Sequence, residues 1–131
     1  MRKILIVDDS MYMRTLIRKI LTNGGYTIVG EASDGKSAIE LTSDLNPDII
    51  TLDNVLPDML GLDTIVKIKE FSNDIKVLMI SPMGQANMIA SAMSNGIDDY
   101  LLKPFTPDQI INKVRQLTNL NAEPDTVKYR Y

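Results

Sequence analysis

The sequence predicts a doubly wound α/β fold, with five parallel strands in one sheet and helices on both of its faces. Five short apolar runs with the composition of buried strands alternate with five segments whose apolar residues recur at helical spacing. The links between these segments are short, and such alternation is typical of a parallel sheet covered on both sides. A length of 131 residues suits one such domain and is too small for two.

The predicted strands are rich in Ile, Val and Leu. The third is the clearest, because an Ile-Ile-Thr-Leu run leads directly into Asp53, and a run of this kind indicates a strand buried on both faces. Pro57 and Gly61 then force a loop before the next helix. The five predicted strands cover residues 3–7, 26–31, 48–53, 75–80 and 99–102.

The predicted helices are amphipathic and have ordinary start and stop signals. They lie between residues 10 and 24, between 34 and 47, over 62–71, over 85–94, and from 107 to about 118. The last begins with a capping box, Thr106-Pro107-Asp108-Gln109, in which proline takes the first helical position. The inward face of the third helix is predicted to consist of Leu62, Ile65, Val66 and either Ile68 or Lys69.

Residues 1–120 form the predicted domain. The sequence loses its periodicity near Asn119, so residues 121–131 are predicted to be a frayed or loosely docked tail. The net charge is −3 and there is no basic run, so we expect no nucleic-acid partner. No apolar run is long enough for a membrane span and the start resembles a strand more than a signal peptide, so we expect no membrane insertion and a cytoplasmic location.

Two absent residue types exclude much chemistry. Without Cys there are no disulfides, zinc–thiolate sites or thiol catalysis. Without His there is no imidazole acid–base catalysis, no His-ligated metal and no phosphohistidine. Any chemistry of this chain therefore uses carboxylates, hydroxyls, Lys or a hard cation held by oxygen ligands.

Polar side chains end four of the five predicted strands: Asp8-Asp9, Asp53, Ser81 and Lys103. A parallel sheet places all of these ends at one rim, and if the first and third strands are neighbours the three carboxylates converge. Close carboxylates need a cation or raised pKa values, and Mg2+ fits a crevice of oxygen ligands. Such a site suits a phosphoryl group on Asp53, with Lys103 and the metal neutralising its oxygens and Ser81 donating to one of them.

Each of these residues also has a plainer interpretation. Asp53 alone is a common turn residue, Asp8-Asp9-Ser10 is an acceptable helix cap, and Ser81 and Lys103 could be ordinary loop residues before prolines. The joint pattern favours the functional interpretation, because four strand ends carry the groups that one reaction needs. The acidic first turn would repel a nucleotide phosphate, which argues against nucleotide and flavin binding.

At these residues the sequence resembles the receiver domain of two-component response regulators. The resemblance covers about residues 1–120, and it implies a sheet in the order 2-1-3-4-5. The matching pieces are Val7-Asp8-Asp9-Ser10, Asp53 with Pro57 and Gly61, Ser81, Tyr100 and Lys103-Pro104-Phe105.

The resemblance implies a role for each of these residues. Asp53 accepts a phosphoryl group from a histidine kinase, and Lys103 pairs with that group. Mg2+ is held by Asp9, Asp53 and the backbone carbonyl of Val55, with Asp8 acting largely through water. Ser81 and Tyr100 form the switch, in which the hydroxyl moves toward the phosphoryl group and the ring turns inward. The bond between Lys103 and Pro104 is usually cis in the family.

Only the short tail follows the predicted domain, so the implied output is a surface that changes on phosphorylation. The segments Met11-Tyr12-Met13-Arg14 and Met83-Gly84-Gln85 are similar to stand-alone receivers of the chemotaxis type. The implied partners are a chemotaxis histidine kinase and an output protein on the face formed by the fourth helix, fifth strand and fifth helix. We expect a monomer.

Three other functions stay open. The chain could relay its phosphoryl group to a histidine phosphotransfer protein, or bind partners without phosphorylation. It could also be a Mg2+-dependent phosphohydrolase resembling the haloacid dehalogenase group. Those enzymes have a second Asp two residues after the nucleophile, where this chain has Val55, which argues against that activity.

Two departures from the family pattern stand out. Pro82 follows Ser81 where the family's amide donates to a phosphoryl oxygen, and proline has no N–H, so we expect a less complete switch. Val55 and Met83 occupy the positions that flank the path of the attacking water in the family. Both are apolar, so we expect slow loss of the phosphoryl group.

Overall fold

The computed structural model describes residues 2–119, so the predicted tail lies outside the described residues. Five parallel strands form one sheet in the order β2-β1-β3-β4-β5, as the resemblance implied. The strands are β1 (Lys3–Val7), β2 (Thr27–Ala32), β3 (Ile49–Asp53), β4 (Lys76–Ser81) and β5 (Asp99–Leu102). The first and third strands are therefore neighbours at the centre of the sheet.

Five helices alternate with the strands, as the sequence predicts. They are α1 (Met11–Asn23), α2 (Gly35–Leu45), α3 (Gly61–Phe71), α4 (Ala86–Ser94) and α5 (Pro107–Thr118). The predicted capping box of Thr106 and Gln109 is present, and the side chain of Ser10, which the plainer interpretation took as a helix cap, accepts from the Met13 amide. These caps satisfy amides at the helix start that have no partner within the helix.

The sheet separates two hydrophobic cores. One contains Ile4, Ile6 and Ile80 packed against α1 and α5, and the other contains Leu5, Val7 and Met79 packed with residues of α2, α3 and α4. Successive strand residues point to opposite faces, so a strand between two helical layers is apolar at every position. This is why β3 lacks the alternation of a half-exposed strand.

The inward face of α3 differs from the prediction. Val66 is 48% exposed and the prediction for it was wrong, whereas Thr64 is fully buried beside Ile65 and Ile68. The Thr64 hydroxyl donates to the carbonyl of Leu60 at 3.0 Å, which satisfies a polar group that would otherwise be costly to bury. The helix thus turns a threonine and not the valine toward the core.

Several predicted boundaries are off by one residue. β2 and β4 begin and end one position later than predicted, so Ser81 is the last residue of β4. Within the described part of the chain, no helix is long and apolar enough to cross a membrane.

Candidate functional site

The carboxyl ends of β1 and β3 bring three carboxylates together. Asp8 and Asp9 follow β1, Asp53 ends β3, and the two strands pair from Ile4 with Ile49 to Val7 with Leu52. One carboxylate oxygen from each of the three aspartates lies within 4.8 Å of the others. The convergence predicted from the strand ends is therefore present.

Asp8 is the buried member of this cluster, with only 2% of its surface exposed. Its Oδ1 accepts from the Ser10 amide at 2.9 Å, and its Oδ2 accepts from the Lys103 ammonium at 2.9 Å. Its own amide donates to the carbonyl of Ala32 at 3.0 Å. The side chain is held at both oxygens, as a buried charge requires.

Lys103 follows β5, and its ammonium contacts the carboxylates at the carboxyl ends of β1 and β3. Its Nζ also lies 3.6 Å from Oδ2 of Asp53, and its backbone amide donates to the Ser81 carbonyl at 2.9 Å. The peptide bond between Lys103 and Pro104 is cis, as the resemblance implied. The ammonium thus provides the one cation that contacts both buried carboxylates among residues 2–119.

Asp53 is 8% exposed, and its environment disfavours the charged form. Burial raises the pKa of its carboxyl above the ordinary value of 3.8, and the charges of Asp8 and Asp9 act in the same direction. The Lys103 ammonium and the amide of Val55 oppose this shift without cancelling it. A group of oxygen donors with excess negative charge fits a hard divalent cation such as Mg2+.

The loop after β3 brings the backbone of Val55 close to the carboxylate of Asp53. The Val55 amide lies 3.4 Å from Oδ1 of Asp53, and an isolated bridge pairs Val55 with Leu60. Gly61 donates to the Asn54 carbonyl at 2.6 Å, and a Cβ on Gly61 would lie 2.8 Å from the Asp53 carbonyl oxygen. Only glycine permits this close approach, which explains the need for it at this position.

Ser81 and Tyr100 meet at a shared neighbour, Met83. The Met83 amide donates to the Ser81 hydroxyl at 3.2 Å, and the Tyr100 hydroxyl donates to the Met83 carbonyl at 2.5 Å. Ser81 is fully buried and Tyr100 is 8% exposed, so the ring lies inward. One residue thus connects the two predicted switch side chains.

Sequence reasoning missed Arg14. Its Nη1 donates to the backbone carbonyl of Asp8 at 2.7 Å, and its Nε pairs with Oε1 of Glu31 at 3.1 Å. Arg18 pairs with the other oxygen of Glu31 at 2.6 Å. The position of Arg14, four residues after Ser10, places it on the helical face next to β1, but nothing in the sequence reveals a bond to a backbone carbonyl.

The chain matches known families and proteins along most of its length. The model of the response regulator receiver domain family matches residues 4–115. The chain is 36% identical to the chemotaxis protein CheY of Thermotoga maritima, over 89% of this chain and 98% of that protein. It is 35% identical to CheY of Bacillus subtilis over the same shares of the two chains.

Solved structures agree with the sequence matches. A chain of the CheX–CheY–BeF3–Mg2+ complex from Borrelia burgdorferi superposes with a TM-score of 0.86 at 29% identity, over 89% of each chain. The signal receiver domain of NarL from Mycobacterium tuberculosis superposes with a TM-score of 0.84 at 28% identity, over 93% of this chain and 98% of that one. This chain therefore belongs to the response regulator receiver domain family and is CheY-like in sequence and fold.

Proposed function

We propose that the chain is a single-domain response regulator that is phosphorylated on Asp53 and signals through a surface that changes with phosphorylation. The observation that carries this proposal is the position of Lys103, whose ammonium lies within 3.6 Å of Asp53 and 2.9 Å of Asp8. A cation fixed beside an acceptor carboxylate stabilises the charge of an incoming phosphoryl group.

In the proposed transfer, an Asp53 oxygen attacks phosphorus on a kinase phosphohistidine. The new oxygen–phosphorus bond forms as the phosphorus–nitrogen bond breaks, and the imidazole leaves with the electron pair and takes up a proton. A carboxylate needs no general base for this attack, which agrees with the absence of His from the chain. Lys103 then holds a phosphoryl oxygen.

The acidic cluster is the proposed Mg2+ site. Asp9, Asp53 and the carbonyl of Val55 would hold the ion, and Asp8 would act largely through water. The close approach of the three carboxylates supports this assignment, because hard oxygen donors suit Mg2+. The ion would supply charge neutralisation at the phosphoryl oxygens. One related structure contains CheY with BeF3 and Mg2+, which also supports it.

The proposed switch comprises Ser81 and Tyr100, with Met83 between them. Its output surface is the face of α4, β5 and α5 around Tyr100. The CheY names of several relatives support a chemotaxis pathway, with a CheA-like histidine kinase as the phosphodonor and an output protein as the acceptor of the signal. The CheX–CheY complex supports the expectation of a protein partner. We propose that the chain acts as a monomer.

Intact mass after incubation with Mg2+ and acetyl phosphate tests this function. The wild type should gain the mass of one phosphoryl group, and Asp53→Asn should gain none, because a neutral amide is too weak a nucleophile to replace the carboxylate. Asp63→Asn, a carboxylate in the first turn of α3, is the matched control and should be modified like the wild type. No gain in the wild type, or an equal gain in Asp53→Asn, would overturn the proposal.

A further inference from the structure

A cleft of about 650 Å3 opens beside the phosphoacceptor, between the loop after β3 and α4. Its volume lies in the range of roughly 300–1,000 Å3 that is typical of sites for small molecules. Apolar side chains form most of its wall, among them Leu60, Leu62, Met79 and Met88. None of the described residues that line it is charged.

Asn54 is the buried polar group of this cleft. It is 8% exposed, and its Nδ2 is directed at two thioether sulfurs, 3.4 Å from Sδ of Met83 and 4.0 Å from Sδ of Met88. Thioether sulfur is a weak acceptor. Between residues 2 and 119, no group donates to the Asn54 side-chain oxygen. The Asn54 amide therefore faces the cleft with an oxygen that has no protein donor among residues 2–119 and a donor that has only weak partners.

Because the cleft is open to water, a ligand in it must replace the hydrogen bonds that water makes to the Asn54 amide. A ligand that displaces this water gains affinity only when it offers the amide equivalent hydrogen bonds. One donor and one acceptor on the same group match the donor and acceptor of another amide. An ion would lose its hydration in the uncharged cleft and gain no counter-charge there.

We propose that this cleft binds a small uncharged molecule that carries a carboxamide on an apolar body. The carboxamide N–H would donate to Oδ1 of Asn54, and its carbonyl would accept from Nδ2. The apolar body would lie against Leu60, Leu62 and the methionine side chains. Such a ligand would contact the residue next to Asp53 and the side chain of Met83, so it would lie where the acceptor and the switch adjoin.

Benzamide is a suitable probe for this site. Benzoate, which has nearly the same shape but carries a negative charge, is the comparison ligand. In 15N-resolved NMR spectra, benzamide should shift the Asn54 side-chain amide and the backbone amides of Met83 and Met88. The dissociation constant should be on the order of 1 mM, as befits so few ligand atoms. Benzoate should bind at least about tenfold more weakly, because its charge has no partner in the cleft.

Two variants and a control separate the contribution of the Asn54 hydrogen bonds from that of the cleft volume. Asn54→Leu should weaken benzamide binding by about tenfold, because it removes both hydrogen bonds. Ser91→Phe should abolish it by filling the cleft from α4, where Ser91 is an exposed lining residue. Asn23→Leu changes an exposed Asn at the end of α1 and should leave binding unchanged. The dispersion of each spectrum shows whether the variant is folded.

The proposal is overturned if benzamide shifts none of the cleft residues up to its solubility limit. It is also overturned if benzoate binds as tightly, or if Ser91→Phe binds benzamide like the wild type. None of these results depends on phosphorylation, so they are distinguishable from a failure of the proposed function.

Discussion

Arg14 donates a hydrogen bond of 2.7 Å from Nη1 to the backbone carbonyl of Asp8. That carbonyl belongs to the peptide group between Asp8 and Asp9, so the bond fixes the orientation of the acidic pair. Glu31 holds the guanidinium from its other edge at 3.1 Å, and the Arg14 side chain is only 13% exposed. If Asp8 and Asp9 hold Mg2+ as proposed, a partner that orients them in this way contributes to metal affinity without contacting the metal.

Arg14→Met should therefore weaken Mg2+ binding by about tenfold, the lower end of what the loss of such an outer contact costs. Calorimetric titration with Mg2+ measures this change in affinity. At saturating Mg2+, acetyl phosphate should phosphorylate the variant to the same extent as the wild type. Arg18→Met is the control, because Arg18 pairs with the same Glu31 but is not bonded to Asp8. Equal Mg2+ affinities in the two variants would contradict the role of Arg14.

Lys103 and the proposed Mg2+ would be attracted by the same carboxylates, Asp8 and Asp53. Lys103→Met should bind Mg2+ more tightly, by about tenfold for one unit charge removed a few ångströms away in a partly screened site. It should also hold less phosphoryl group at a given donor concentration, because the fixed cation is missing. Calorimetry and intact mass measure the two effects. Weaker Mg2+ binding in Lys103→Met would contradict this electrostatic account.

Asp58 ties the loop after β3 to the start of α2. Its carboxylate accepts from the amide of Gly35 at 2.7 Å and from the amide of Lys36 at 2.9 Å. These bonds lower the pKa of Asp58 below its ordinary value of 3.8, with the Gly35 bond the larger cause. Because the folded pKa is the lower one, the ionised group stabilises the fold above pH 3.8, and this stabilisation is lost as pH falls through the folded value.

Asp58→Asn should consequently lower the free energy of unfolding at pH 7, and the difference from the wild type should shrink as the pH falls below 3.8. Urea unfolding at a series of pH values measures this dependence. Asp74→Asn, at an exposed position after α3, should show a much smaller difference at every pH. A difference for Asp58→Asn that stays constant down to acid pH would show that the carboxylate charge is not its cause.

Pro82 separates Ser81, the proposed switch residue, from Met83 and has no N–H to donate to a phosphoryl oxygen. A charge-assisted hydrogen bond of this kind contributes about 1.5–3 kcal/mol. Pro82→Ala should therefore increase the fraction of phosphorylated protein in the active state, measured by the chemical shifts of Tyr100. An unchanged Tyr100 signal in the phosphorylated variant would mean that water or another donor already fills this position.

The sequence predicts the elements of this fold well because their signals are local. The apolar run of β3, the Ser10 cap and the capping box at Thr106 each depend on neighbouring residues, and each is present. The face of α3 was less predictable, since a buried Thr64 is acceptable only because its hydroxyl reaches the Leu60 carbonyl. Hydrophobicity alone favours Val66 at that interface.

In the candidate site, too, some features were predictable from the sequence and others were not. The acidic cluster follows from strand ends and sheet order, so Asp8, Asp9 and Asp53 could be placed together from the sequence. The side chains of Arg14 and Asp58 form hydrogen bonds with backbone groups of other segments. Such bonds cannot be predicted from the sequence, because every residue has a backbone carbonyl and nearly every residue has an amide. The cleft beside Asn54 depends on the spacing between two loops and α4, which no periodicity reveals.

The most direct test of the central claim is an NMR titration with beryllofluoride, a mimic of the phosphoryl group, in the presence of Mg2+. If Asp53 is the acceptor and Ser81, Met83 and Tyr100 form the switch, the amides of these residues and of β5 should shift in the wild type. The same additions should leave Asp53→Asn unchanged. Shifts confined to the immediate neighbours of Asp53, or the same shifts in both proteins, would contradict the account.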